Sequence, residues 1–502
     1  MSNRIWPLLP LALLMLIPQG LASAIYSSGA ADIAGALGLS LDEASWFNVL
    51  FMVGQLLALP LASWAAYRLG NRRLLRSAAA LGLGCALISV LVEAPLWQYV
   101  AWLGHGVCAS VMVVLAHRLV MTNLDFVRIA KAEAVMLLLF VLVPMGLYPL
   151  LMGLLAEAGG WRWAFALQWI PYAAVLYWVR FGPWPWPDTR QRIRLNLLQA
   201  GLLSGFIVAL TVLLMKGERY NWFRDPDWVV LAVVTALLGA GVVLALRRGW
   251  GRGEYLRPSI LRVPNARVGM VNGAVAGFVV MAATMLTSGF VTGVLGYSHA
   301  QLGQLERISF YGMLLGLMLA IKVTTTEGGK PEKVIPLGVL LMVIACSILT
   351  GVSPDSGRSD LWPAMLLKGV AVGILNVTVT IHILRRMPKA QLVEAIAWFY
   401  LFRNLGSLLA SVEFSRLQAF DAANASLVMA GHLSSRSDAF VQQSLQLQQA
   451  VGGHSAALIG QALQQQVASV ASINGFQWLI ASIGGCTVLM ISAMKWAQRQ
   501  SA

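Results

Sequence analysis

Residues 228–246 read WVVLAVVTALLGAGVVLAL, a run with no charge and no proline. At 1.5 Å per residue such a helix is about 28 Å long, close to the roughly 30 Å of a bilayer's hydrocarbon core. A soluble domain has no face to which this segment could turn a polar side. Similar runs lie on both sides of it, near 6–28, 45–66, 75–92, 97–121, 133–155, 163–180, 196–215, 268–291, 303–322, 334–352, 362–384, 393–415 and 474–494. The pattern predicts fourteen helical spans. Composition agrees: of 502 residues, 58% are hydrophobic and 11% charged, against about 45–50% and about 25% in soluble domains. A soluble enzyme, a disordered chain and a collagen-like chain are excluded.

The formal net charge is +15. In a bilayer protein this excess belongs to cytoplasmic loops rather than to a nucleic-acid partner. With the N-terminus inside, most Lys and Arg fall on the cytoplasmic side. Only Arg162, Lys216, Arg219, Arg224, Arg358, Arg416 and Arg436 fall outside, and Arg307, Lys368 and Arg403 fall within spans. The asymmetry predicts both termini in the cytoplasm. Arg4, the apolar run after it and Ala22-Ser23-Ala24 also have the form of a secretory signal with its cleavage site. Cys85, Cys108, Cys346 and Cys486 lie in apolar runs with no CxxC spacing, which suits small core residues rather than metal ligands. Two connections are long. One is a Pro-Trp linker at 181–195; the other is a Gln- and Ala-rich outer loop at 416–473, with amphipathic helices expected near 437–451 and 455–472.

Several stretches resemble the major facilitator superfamily, and within it the fourteen-helix branch of EmrB/QacA-type drug:proton antiporters. Trp46 to Pro60, then Trp64, Arg68, Gly70, Arg72 and Arg73, resemble helix 2 and the basic loop after it. The resemblance continues through Gly106 in helix 4, Trp161-Arg162-Trp163 with Phe165 and Pro171 in helix 6, and Lys216-Gly217-Glu218 with Asn221-Trp222-Phe223 between two extra central helices. It extends to Leu392 through Arg403-Asn404-Leu405 in helix 13, and to Asn474-Gly475-Phe476-Gln477-Trp478 leading the last helix. An internal repeat is visible too: His105-Gly106-Val107 in span four is matched by Lys368-Gly369-Val370 in span twelve.

The resemblance implies an all-α integral membrane protein of two pseudo-symmetric six-helix bundles, 1–180 and 267–502, with a linker and two extra helices at 181–266. It implies a secondary transporter of the bacterial inner membrane that exports a bulky amphipathic or anionic small molecule, such as a drug, toxic metabolite or siderophore, by alternating access. A periplasmic adaptor and an outer-membrane channel are the partners it implies, besides lipid and substrate. The alternative is an importer or facilitator of a small metabolite or metal chelate. It implies that Arg68, Gly70, Arg72 and Arg73 latch the cytoplasmic helix ends. Two departures bear on proton coupling: Ala22 stands where the family's first helix carries an acid, and Trp102 where helix 4 carries an arginine. The paired prolines of helix 5 are reduced to Pro144 and Pro149.

Polar side chains inside spans are functional candidates. Gln19, Asn48, Gln55, His105, Asn376 and Arg403 are expected near mid-depth, and Trp102 and Trp398, with Tyr400, are candidate walls of an apolar cavity. For Asn48 and Gln55, on one helix face, ligand contact and interhelical hydrogen bonding are equally open. The proton-coupling candidates are His105, Glu306 and Glu413. Glu306 beside Arg307 reads either as a gate or as two interfacial charges. Lys368 is placed to snorkel outward, and Glu133 and Glu394 at cytoplasmic helix ends, in solvent. No phosphate-binding loop, dinucleotide fingerprint or metal cluster occurs, so neither an enzymatic site nor a cofactor is expected.

Overall fold

The computed structural model describes residues 8–124, 126–184, 194–249, 263–325, 334–386, 392–433, 438–451 and 455–501. They are helical almost throughout. In the N-terminal part lie α1 (Leu8–Ala36), α2 (Leu41–Leu69), α3 (Asn71–Leu91) and α4 (Pro95–Asn123). Next come α5 (Phe126–Leu137), a π-helical turn (Leu138–Leu142) and α6 (Val143–Gly159), then α7 (Trp161–Leu167) and α8 (Trp169–Phe181). Two further helices, α9 (Leu197–Lys216) and α10 (Pro226–Arg248), precede the C-terminal part. That part contains α11 (Pro264–Gly293), α12 (His299–Thr325), α13 (Ile335–Thr350), α14 (Arg358–Arg386), α15 (Leu392–His432), α16 (Asp438–Val451) and α17 (Ser455–Ser501). Among the described residues, ten helices are long and apolar enough to cross a membrane, and Leu9–Ile25 and Ile335–Thr350 are shorter apolar helices. The predicted spans 133–155 and 163–180 fall on helices interrupted by the π-turn and by the break at Gln168.

The opening segment behaves as a lipid-facing helix should. Within α10 the most apolar window is only 11% buried, whereas the corresponding window of α14 is 78% buried. Val229, Val230, Val233, Val234 and Leu237 project outward from α10. A helix that is apolar all round and exposed in the protein has lipid as its partner.

Each half contains a very close helix pair at the repeated glycine, and the C-terminal half has a second where Gly406 of α15 meets the Ala274 carbonyl of α11. Gly106 of α4 lies against the backbone carbonyl of Phe51 on α2, where a Cβ would overlap it. Gly369 of α14 lies in the same way against the carbonyl of Ser309 on α12. The two glycines are the repeat positions read from the sequence, so α2–α4 and α12–α14 are the matching pairs. Small residues let membrane helices approach until dispersion and backbone contacts hold them. The halves meet along α6 and α12, where Gly303 packs on Leu150, and at the opposite face, where α15 packs on α2 and α4.

The segment 416–473 differs from the expected loop. Helix α15 runs unbroken to His432, 41 residues in all. The expected helix at 455–472 is the first part of α17, which continues through the last predicted span for 47 residues. Only α16, at 438–451, is a separate element, close to its expected bounds. The region is a helical projection. Ala22-Ser23-Ala24 lies in the middle of α1, with Ala22 and Ala24 buried.

Candidate functional site

The turn between α4 and α5 brings together two residues that are sixteen apart. His117 lies six residues before the end of α4 and Glu133 seven after the start of α5, so both sit about 10 Å inside the turn. Tyr400, eight residues into α15, comes from the other half to the same depth. His117 Nε2 is 3.1 Å from Glu133 Oε1 and 3.0 Å from the Tyr400 hydroxyl, and that hydroxyl is 3.4 Å from Glu133 Oε1. His117 Nδ1 faces the Val113 carbonyl at 2.8 Å and therefore carries a proton. Phe140, from the π-turn, closes the site with edge contacts to both His117 and Tyr400. All three polar residues are at most 1% exposed, and Glu133 Oε2 has no hydrogen-bond partner.

One turn beyond Tyr400, Arg403 donates from Nη2 to Asn376 Oδ1 at 2.6 Å. Asn376 Nδ2 donates to the Val372 carbonyl, which fixes the amide's orientation. Arg403 is 8% exposed, and among the described residues it pairs with no carboxylate. Its charge acts on Tyr400 and Glu133 from beyond ion-pair distance.

The other predicted residues are distributed differently. Trp102 packs with Phe47, Phe51 and Phe165, and His105 stacks between Phe165 and Tyr172 with neither ring nitrogen hydrogen-bonded. His105 is thus wedged between two aromatic rings. Trp398 packs against Phe402 within the core. Gln19 and Gln55 each leave one buried amide atom without a partner, whereas Asn48 is half-buried. The structure thus joins Arg403 to Asn376, and Trp102 to His105 through Phe165. Glu413 is exposed on α15.

Three expectations are corrected. Glu306 does not pair with Arg307, which is exposed; it accepts from Lys368 Nζ at 2.9 Å, with both side chains at most 4% exposed. Lys368 does not snorkel, because a carboxylate at its own depth satisfies it. Glu133 does not lie in solvent, because α5 starts at Phe126, seven residues before the expected span, and carries it inward. The His117–Glu133 contact follows from the observed helix bounds, which put the two residues at similar depths from the facing ends of α4 and α5.

On the basic face Arg72 donates twice to the Val179 carbonyl, at 2.8 and 3.2 Å, and lies over Trp184 of the linker. Gly70, at φ +85°, caps both α2 and α3. Arg68 lies over Trp64, and Arg73 is exposed. Arg118 lies over Tyr67, its centre 4.2 Å from the ring. On the opposite face Lys216, at the end of α9, reaches the carboxylate and carbonyl of Asp42 at 3.0 and 2.8 Å and the Ser45 hydroxyl. It is 2% exposed and also covers the Trp46 ring. Among the described residues no three His, Cys, Asp or Glu side chains gather as metal ligands.

Two helical halves, built on helices long and apolar enough to cross a membrane and meeting at a buried polar seam, have the architecture of a membrane transporter. Residues 12–411 match the Major Facilitator Superfamily, and the chain belongs to it. The multidrug export protein EmrB of Escherichia coli strain K12 is 25% identical over 224 residues, 44% of this chain and 43% of EmrB. The chain's match thus spans less than half of that relative's length. The fatty acid resistance protein FarB of Neisseria gonorrhoeae is 27% identical over 54% of this chain and 53% of its own. EmrB of Haemophilus influenzae is 23% identical over 79% and 78%. Among solved structures, the proton:xylose symporter XylE superposes with a TM-score of 0.58 at 15% identity over 95% of this chain and 96% of its own. A bacterial homologue of the lysosomal transporter Spinster gives 0.57 at 13% identity over 99% of both chains. At these identities the likeness concerns the fold.

Proposed function

We propose that this protein exports bulky anionic amphiphiles across the bacterial inner membrane by alternating access. The carrying observation is Arg403. A guanidinium stays charged at any working pH, and a buried cation is costly unless an anion or an aqueous cavity meets it. Among the described residues its side-chain hydrogen bond is to a neutral amide, Asn376 Oδ1, and in this reading the rest of its donor fork serves the head group of a cargo molecule. The names of the relatives, multidrug export and fatty acid resistance, support efflux of amphiphiles. Gln19, Asn48, Gln55 and Trp398 are the further lining candidates. Trp102 and His105 act behind them as packing.

The chain crosses the membrane fourteen times in this reading. The bundles are divided near 180 and 267, and both termini are cytoplasmic. The projection at 416–473 would meet a periplasmic adaptor that passes cargo to an outer-membrane channel. Reporter fusions at both ends test the topology, and opposite-side termini would reject the count. Transport is tested with a sulfonated fluorescent dye and a cationic dye of matched size in sealed inverted vesicles. The sulfonate should accumulate in preference, and Arg403→Gln should abolish that preference. Equal uptake of both dyes by the wild type would remove the assignment to anions.

A further inference from the structure

We infer that His117, Glu133 and Tyr400 form a proton-binding site that seals the cytoplasmic seam between the two halves while it holds its proton. The inference rests on the orientation and alternating-access reading above. The argument is one of donors and acceptors. Nδ1 of His117 is committed to the Val113 carbonyl. Nε2 faces Glu133 Oε1 at 3.1 Å, closer than two bare lone pairs settle. One proton between them resolves the contact, either on Nε2 or on Oε1. In the Nε2-protonated form the Tyr400 hydroxyl donates to the same oxygen, which links α15 to α4 and α5.

Removing that proton changes the balance. The Tyr400 hydroxyl is the remaining donor and can serve either Nε2 or the carboxylate. Glu133 is then an anion at 0% exposure whose Oε2 has no partner. A buried anion in that condition must gain water or a new donor. Water reaches it by parting α15 from α4 and α5, which opens the seam towards the basic, cytoplasmic face. Proton loss and opening are therefore one event. A proton that reaches the site from the outer side while the cytoplasmic seam is shut, and leaves to cytoplasmic water when it opens, moves inward once per cycle.

The charged groups around the site set the pH of that event. Arg403 acts on Glu133 and Tyr400 from α15. Arg118, next to His117, turns to Tyr67 and acts with Glu394 in the first turn of α15. Lys131 on α5 and Lys322 on α12 are exposed near the same face. On α14, His382, Arg385 and Arg386 have side chains outside the described set. The family position for a coupling acid holds Ala22, which is buried among apolar neighbours. This site offers a proton acceptor where that position offers none.

The test reads the seam without cargo. Spin labels on Lys131→Cys and Lys322→Cys, with the four native cysteines replaced by alanine, report the gap between the halves in lipid nanodiscs from pH 5 to 9. The wild type should show the short distance at low pH and a several-fold rise of a longer one as pH increases. Glu133→Gln donates to Nε2 without titrating and should stay short throughout. Tyr400→Phe keeps the His117–Glu133 pair and should lose the short distance at low pH. A wild-type gap that ignores pH, or an unchanged transition in Glu133→Gln, overturns the inference. Should Glu133→Gln not fold, an unchanged low-pH distance in Tyr400→Phe overturns it. Dye export with a pH-invariant gap rejects this site alone, and a pH-dependent gap without export rejects the export reading alone.

Discussion

Among the described residues two acid–base contacts are buried on both sides, and they differ in what they join. Glu306 and Lys368 meet on α12 and α14, inside one half, on helices already locked by the contact of Gly369 with the Ser309 carbonyl. Glu133 and His117 meet on α4 and α5 but depend on Tyr400 from the other half for their second donor. The first pair lies entirely on two packed helices of one half. The second is complete only while the halves touch. A buried charge within a rigid unit serves that unit's stability, and the same chemistry laid across a seam responds to the seam's opening.

The largest effect is expected where the comparison is broken at its rigid member. Lys368→Met leaves Glu306 as an unpaired buried charge and should destabilise the protein by about 3–5 kcal/mol, read as a lower unfolding midpoint in detergent. Glu306→Leu combined with Lys368→Met should recover most of that loss, because an apolar pair of similar volume replaces the ions. The double variant should keep dye transport. If it folds and does not transport, the pair belongs to the transport cycle and the contrast fails.

The next effect sharpens the seam side. Arg403→Gln removes a charge-assisted bond to Asn376, worth about 1.5–3 kcal/mol, together with the cation proposed for cargo. Export of the sulfonated dye should fall by roughly tenfold or more, at about 1.4 kcal/mol per factor of ten, with a smaller change in stability. Arg403→Lys should restore part of it, since Lys lacks the planar fork. Equal loss of stability and export would make Arg403 a bundle residue like Lys368.

Most of the fold was legible in the sequence because bilayer solvation acts on one segment at a time. Apolar length marks each helix, and the repeat of Gly106 and Gly369 marks a matching close helix pair in each half. The continuous helix through 416–432 was legible too, since the stretch has no proline and no glycine before Gly431, but its polar composition suggested a loop. The site was harder. Arg403 and Asn376 were identifiable as polar residues within spans, and their pairing follows only from how α14 and α15 both pack on α11. Glu133 was obscured by a helix boundary seven residues off, which is enough to exchange solvent for core. The Glu306–Lys368 pair lies 62 positions apart, and no spacing rule connects helices whose depth and rotation are fixed by packing.

The smallest expected effect tests whether the face opposite the basic one has a seam of its own. Lys216 ties the extra helix α9 to Asp42 and Ser45 at the start of α2, and it is 2% exposed. Unlike Glu306, its carboxylate partner is 29% exposed. Water therefore shares the charge, and the surface environment screens the pair. Lys216→Met keeps the apolar stem over Trp46 and removes only the ammonium, so it should cost about 1 kcal/mol. Arg162→Gln is the matched control: its partner Glu93 is 73% exposed and Arg162 itself 43%, and the change should not be measurable. In the proposed fourteen-span arrangement α9 and α10 stand outside both bundles, and this anchor then decides which half they follow. Arg416 of α15 also lies over Trp222 in the turn after α9, its centre 5.6 Å from the ring, and the turn therefore touches both halves. If Lys216→Met lowers stability slightly and leaves the dye export rate unchanged, α9 rides with the N-terminal half through the cycle. If export accelerates while stability is unchanged, the Lys216 anchor is an outer seam that must part, and the protein has a shared contact at each face.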